Sequence, residues 1–271
     1  MFKILGILLL FTTLAFSKVY YSKVQPYEIR DISSNVSGEV IFTDENMIGK
    51  KLSKKAFIKI DDVLNRDELK SVKEKITYLK ATLETDKQIL KNLEEALKRK
   101  KVNFKSIESL SIKSKVEKDR EFYELINSEN SYLATQKEIN SLKTNISDLL
   151  LKEKQLSKMI HDKNITADGF VLYTIKVKPG SVVNIGTPLA SVADVHKALL
   201  TIYLDEDDLK HLNQRVLYIN DKKSNYKISR VSKIADTKNI SRYKAQVIIN
   251  APKIFSQVVK IELKKDADEN K

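Results

Sequence analysis

The residues of this chain that could bind a metal or transfer protons are few and scattered. Histidine occurs only at His161, His196 and His211, in none of the short spacings that place two zinc ligands on one helix. Cysteine is absent, which excludes disulfides and thiolate metal sites. The sequence contains no phosphate-binding loop and no dinucleotide fingerprint. We therefore predict no catalytic residue, no metal and no cofactor, and we expect that the protein is not an enzyme.

The densest group of possible acid–base residues is the run of four carboxylates at 205–208. Acidic residues adjacent in sequence are typical of the first turn of a helix, because the helix dipole favours negative charge there. A short helix is therefore predicted at this point, and a catalytic carboxylate pair is not.

The chain is strongly basic, with a formal net charge of +13. Its lysines are interleaved with Glu and Asp, and no arginine-rich cluster or aromatic platform suits stacked bases. We therefore expect no nucleic-acid partner. An anionic membrane surface or an acidic protein surface fits the charge better.

The N-terminus has the pattern of a secretory signal peptide. A basic start precedes an apolar run at 4–11, and the small residues Ala15 and Ser17 follow it. We predict cleavage after Ser17, because the apolar run is shorter than the roughly 20 residues that a membrane-spanning helix needs. An uncleaved membrane anchor is the alternative. An exported chain without cysteine suits the bacterial periplasm.

Two long stretches repeat apolar residues at alternating steps of three and four, the seam pattern of a coiled coil. The first series is Leu69, Val72, Ile76, Leu79, Leu83, Asp86, Leu90, Leu93 and Leu97. The second series is Leu125, Ser128, Tyr132, Thr135, Ile139, Leu142, Ile146, Leu149, Glu153, Leu156 and Ile160. They predict an antiparallel hairpin that reverses between about 105 and 115.

Two features of the first series leave alternatives open. Asp86 either sets the register, pairs with a lysine of the other arm, or faces water as a polar defect. The basic run at 98–101 is either a contact patch or the ordinary lysine bias near a helix end.

Short apolar segments punctuated by glycine flank the helical stretch on both sides. They contain Val36-Ser37-Gly38-Glu39-Val40 before it and Ala167-Asp168-Gly169-Phe170-Val171 after it. Each side predicts only a few short strands, too few to fold alone, so the two sides are expected to meet in space.

The string DGFVLYTIKVKPGSVVNIGTPLASVAD resembles the second half of the split biotinyl-lipoyl-like domain of HlyD-like periplasmic adaptors, or membrane fusion proteins. The string VSGEVIF with IGKKLSKKAFIKIDD is similar to the first half, although Lys55 stands where that family usually has glycine. The resemblance implies an elongated mixed α and β fold: a split lipoyl-like β-sandwich carries a long antiparallel coiled-coil hairpin, and a small β-barrel follows. The coiled coil replaces the junction at which related domains carry biotin or lipoate.

The resemblance and the patterns together predict seven segments. They are a signal peptide at 1–17, an N-terminal strand joining the β-barrel at 18–33, the first lipoyl-like half at 34–64, the hairpin at 65–162, the second lipoyl-like half at 163–194, the β-barrel at 195–263 and a disordered tail at 264–271.

By resemblance, the protein is expected to be the adaptor of a tripartite system for efflux of small molecules. Its partners would be an inner-membrane transporter of ABC or RND type, an outer-membrane channel and further copies of itself in a hexamer. The family contacts the channel with Arg, Leu and Ser at the hairpin tip. Ile107 and Ser114 are similar to the Leu and Ser, and no Arg stands in the expected place. Ser114 is alternatively a solvated turn residue, and the whole chain is alternatively an envelope tether that works without a transporter.

Overall fold

A computed structural model describes residues 18–235 and 242–265. The predicted signal peptide and most of the predicted tail lie outside these residues. Helix α1 spans Val63–Glu108 and helix α2 spans Lys115–Asp162. The two helices pair along their length, and the reversal between them lies inside the interval predicted for it. The predicted helical hairpin is therefore confirmed.

The predicted seam is the buried face of the hairpin. Val72, Ile76 and Leu156 form a buried cluster at its base, and every other member of both series is buried or half-buried. The neighbouring positions on both helices are mostly exposed. Helix stability in such an arm comes mainly from this apolar stripe rather than from intrinsic propensity.

Charged residues bridge the two arms beside the seam. Lys100 lies 3.4 Å from Glu124, and Lys101 lies 3.2 Å from Glu129. Two members of the basic run therefore form ion pairs across the hairpin, a use that neither interpretation of the run anticipated. The Oδ2 atom of Asp86 is shielded from water and has no hydrogen-bond partner, so this carboxylate lies in the seam and not in solvent.

The strands of the described residues form three sheets. The strands are β1 (Val19–Lys23), β2 (Gln25–Ser33), β3 (Gly38–Thr43), β4 (Ile58–Ile60), β5 (Asn164–Ile165), β6 (Val171–Ile175), β7 (Val182–Val183), β8 (Pro188–Leu204), β9 (Arg215–Ile219), β10 (Lys222–Lys223), β11 (Ile228–Ala235), β12 (Tyr243–Asn250) and β13 (Val258–Lys265). The three orders are β5-β4-β3-β7, β11-β12-β8-β2 with β6 also on β8, and β1-β13-β9-β10. Helix α3 (Glu206–Lys210) and the 3-10 turns Glu45–Met47 and Leu212–Gln214 complete the elements.

The first of these sheets joins the two sides of the hairpin, as expected. Strand β4 pairs with β5 across the helical insertion, with Ile58 opposite Ile165, and β3 pairs with β7. The turn before β4 is formed without glycine, because the Ser53 hydroxyl oxygen accepts a hydrogen bond from the Lys55 amide at 3.3 Å. This sheet, β6 and the first part of β8 share the first core, which contains Val40, Leu52, Phe57, Ile58, Ile60, Ile165, Leu172, Val183, Leu189, Ala190 and Val192.

The other two sheets share a second core. It contains Val24, Ala198, Leu200, Ile202, Leu204, Leu217, Ala245, Val247, Val259, Ile261 and Leu263. Strand β1 pairs with β13, so the N-terminal segment lies beside the C-terminal strands. Strand β13 continues through Lys265, two residues into the predicted tail.

Strand β8 connects the two cores. Its residues Ala190 to Ala193 pair with β6, and its residues from Lys197 to Leu204 pair with β12. Strand β2 runs alongside β8 across the same junction. The segment boundary predicted at 194/195 falls inside β8, because no glycine or proline interrupts the chain after Pro188.

Candidate partner interface at the hairpin tip

The hairpin tip is the turn at 109–114 with the helix ends on either side. Ile107 is half-buried in the last turn of α1, and its carbonyl oxygen accepts the Leu110 amide at 3.1 Å. Ser114 is exposed at the start of α2. The Lys118 ammonium group donates to the Glu108 carbonyl oxygen at 2.9 Å, which closes the turn from one helix to the other.

Ser114 forms a capping box with Glu117. The Glu117 amide donates to the Ser114 hydroxyl at 3.3 Å, and the Ser114 amide donates to the Glu117 carboxylate at 3.0 Å. These two bonds satisfy amide groups that the helix itself leaves unpaired. The Ser114 amide, then Lys113 and the Ser114 hydroxyl, lower the pKa of Glu117 to about 2. Ser114 is therefore more than a solvated turn residue, because it fixes where α2 begins.

Replacing Ser114 by Ala is expected to loosen the first turn of α2 by about 1 kcal/mol, the usual cost of losing an N-cap. Hydrogen exchange of the amides of Glu117 and Lys118, which donate to Ser114, will speed up by roughly five-fold, as that energy implies. The matched control is Ser111→Ala in the same turn, which removes an exposed hydroxyl outside the capping box. Equal exchange in the two variants would contradict the capping role.

The same cap predicts a dependence on acid. Because the folded pKa of Glu117 lies below the ordinary value of about 4.3, the cap stabilises the helix start above that ordinary pKa. The contribution is lost as the pH falls from about 4.3 towards 2. Exchange of the Glu117 and Lys118 amides, corrected for intrinsic rates, should therefore be constant from pH 7 to 5 and rise below pH 4. In Glu117→Gln this rise should be absent.

Apolar side chains at the tip are exposed to water. Ile112 is 93% exposed and Val116 is 78% exposed, with Leu110 beside them at 45%. Lys113, Lys115 and other cations surround them, and basic residues outnumber acidic ones from 105 to 120. A basic, apolar tip suits insertion into a partner that offers apolar contact within an acidic rim.

A charged cluster lies at the edge of the second core. Asp208, in α3, is fully buried, and its carboxylate lies 2.5 Å from the Arg215 guanidinium. Tyr20 of β1 donates a hydrogen bond to the same carboxylate, and Lys18 lies 3.6 Å from it. Burial and then the bond to Asp208 raise the pKa of Tyr20. The cluster joins β1, α3 and β9.

The similarity of this chain to known proteins lies in its fold. No protein-family model and no curated protein sequence matches it. MacA from Actinobacillus actinomycetemcomitans matches at a TM-score of 0.67 and 17% identity, over 92% of this chain and 78% of that one. A MacA–MexA chimera with the Pseudomonas aeruginosa MexA α-hairpin domain matches at 0.56 and 15% identity, over 92% and 82%. The membrane fusion protein Spr0693 from Streptococcus pneumoniae R6 matches at 0.52 and 11% identity, over 92% and 99%.

The chain has the membrane fusion protein fold. The alignments extend over nine tenths of its length, so both the helical hairpin and the β-sheets are included. At this level of identity the likeness defines the fold, and function has to be argued from the chain's own residues.

Residues 18–235 and 242–265 contain no cluster of side chains that could hold a metal ion. Two of the histidines contact neighbouring residues: the Nδ1 atom of His196 lies 2.8 Å from the Asp194 carboxylate, and that of His211 lies 3.0 Å from the Asp207 carbonyl oxygen. In the same residues no helix is long and apolar enough to span a membrane.

Two features of this fold were not predicted from the sequence. The helix start predicted at 205–208 is confirmed by α3 with its N-cap Asp205, but nothing in the sequence indicated that Asp208 is buried. Sequence reasoning also selected Ile107 and Ser114 at the tip and passed over the exposed Ile112 and Val116. The signal for the latter was present, since both are apolar residues outside the heptad series.

Proposed function

We propose that this protein is the periplasmic adaptor of a tripartite export system for small molecules. An oligomer of the chain, most simply a hexamer, links an inner-membrane transporter of ABC or RND type to an outer-membrane channel. The observation that carries the proposal is the hairpin, whose arms of 46 and 48 residues end in an exposed apolar tip. At a rise of 1.5 Å per residue such arms reach about 70 Å, enough to cross a wide aqueous gap.

The parts of the molecule take separate roles in this proposal. The strands around the first core, β3 to β7 with the first part of β8, act as a lipoyl-like sandwich that holds the hairpin, and the strands around the second core act as a β-barrel that docks on the transporter. The two separate cores support this division. The domain boundaries are those given by the sequence, although the boundary at 194/195 falls inside the continuous strand β8.

The tip provides the contact with the channel. In this proposal Ile112 and Val116 are the apolar anchors, Ile107 supports them from the last turn of α1, and Ser114 holds the start of α2. The exposure of the two anchors supports this assignment. The chain performs no catalysis, and the transporter supplies the energy. It acts in the periplasm after export by the cleaved signal peptide at 1–17.

Co-purification from intact envelopes tests the proposal. The full chain, tagged at its C-terminus, is expected to recover both an inner-membrane transporter and an outer-membrane channel after treatment with a reversible amine-reactive crosslinker. The many exposed lysines provide attachment points. Recovery of envelope proteins without any transporter would instead favour a tether and would overturn the adaptor role.

A further inference from the structure

A cavity of about 420 Å3 lies at the edge of the second core, between the β9–β10 hairpin and the start of β11. Its volume is within the range of about 300–1,000 Å3 that small-molecule sites occupy. The cavity is distant in sequence from the hairpin tip, and the adaptor role makes no use of it.

The inner wall of the cavity is apolar. Leu212, Leu217, Ile228 and Leu263 line it, and Leu217 and Leu263 are themselves part of the core. Water in contact with such a wall is released favourably when an alkyl or aryl group takes its place. The inner wall therefore selects an apolar group.

The charged side chains that line the cavity are all cations. Arg215 lies at one side, and Lys223 and Lys227 lie in and beside the loop that follows β10, with Ser224 and Asn225 between them. Arg215 already shares its charge with Asp208, so the exposed Lys227 contributes most of the attraction. Positive charge along the cavity lining favours an anionic group on the ligand.

We propose that this cavity binds an amphipathic anion, with its alkyl or aryl part against the leucines and its carboxylate or sulfonate at the lysine-bearing loop. The combination carries the inference: an apolar wall alone would suit any hydrophobic molecule, and a basic loop alone would suit any anion. Binding needs neither transporter nor channel, so it is tested on the isolated protein, and its failure would leave the adaptor role untouched.

The test uses the purified full chain and the fluorescent anion 1-anilinonaphthalene-8-sulfonate, displaced by decanoate or by neutral decanol. We expect saturable binding, with decanoate displacing the probe at a concentration at least about ten-fold below decanol, because only decanoate carries the charge. Ser224→Trp, which fills the mouth of the cavity, should abolish saturable binding. Equal displacement by the two competitors would overturn the proposed charge selection.

Charge reversal supplies the matched comparison. Lys227→Glu should weaken decanoate binding by about five-fold or more, and Lys244→Glu, an equal charge change at an exposed position of β12 outside the cavity, should change it less than about two-fold. Thermal unfolding by circular dichroism verifies that each variant is folded. Equal weakening by both reversals, or unchanged binding in Ser224→Trp, would place the probe elsewhere and overturn the site.

Discussion

Replacing Ile112 and Val116 together by Asp will reduce capture of the outer-membrane channel by at least about ten-fold. Burying an exposed apolar side chain of this size stabilises a contact by about 1.5–3 kcal/mol, and ten-fold in affinity corresponds to about 1.4 kcal/mol. Both side chains are almost fully available for such burial. The substitutions also place two carboxylates where a basic tip is expected to meet an acidic rim.

The hairpin itself should remain folded in this variant. Both side chains point into solvent, and position 116 lies in the first turn of α2, where negative charge is favoured. Capture is measured with a photo-crosslinking residue at Leu110, which is 45% exposed beside the two anchors.

The matched control is Ile89→Asp, which changes an exposed apolar residue, 44% accessible, in the middle of α1. Channel capture should survive this control within about two-fold, because position 89 is far from the tip along the helix. Undiminished capture by the Ile112 and Val116 variant would show that the tip does not bind through these side chains.

Arg215→Met will lower the free energy of unfolding of the β-strands around the second core by about 3–5 kcal/mol. The substitution removes the cation 2.5 Å from the fully buried Asp208 carboxylate. Tyr20 and Lys18 remain close, but a hydroxyl group and a half-exposed ammonium 3.6 Å away compensate only part of the loss. The measurement is urea denaturation, with hydrogen exchange of the amides of β9 and β13 as the probe of unfolding.

Two further variants separate the ion pair from its setting. The double variant Arg215→Met with Asp208→Leu should recover most of the lost stability, because an apolar pair often replaces a buried ion pair without loss. Lys210→Met breaks the ion pair between Lys210 and Glu206, whose two side chains are 65% and 69% exposed respectively. This substitution should lower the free energy of unfolding by less than about 1 kcal/mol. A loss in Arg215→Met no greater than in Lys210→Met would contradict the account.

The hairpin could be predicted from sequence because its signal is local and repeated. The spacing of apolar residues in each heptad indicates which side chains face the partner arm. Even Asp86, the polar member of the first series, lies in the seam as predicted. The pairing of β4 with β5 could also be expected, because each side of the hairpin alone has too few strands to bury a core.

The buried ion pair could not be predicted in this way. Four carboxylates in a row look alike in sequence, and only the position of α3 against β1 and β9 buries Asp208 while Asp205 caps the helix. The cavity beside Arg215 likewise depends on how a loop and three strands meet. Contacts between residues distant in sequence have no local period from which they could be recognised.

Position-resolved photo-crosslinking in intact envelopes tests most directly whether one chain contacts proteins of two membranes. One crosslinker replaces Ile112 at the hairpin tip, and another replaces Tyr21, which is 69% exposed on β1 beside the second core. The account predicts an outer-membrane channel at position 112 and an inner-membrane transporter at position 21, without exchange between the two. The same partner at both positions, or only further copies of the chain at the tip, would contradict it.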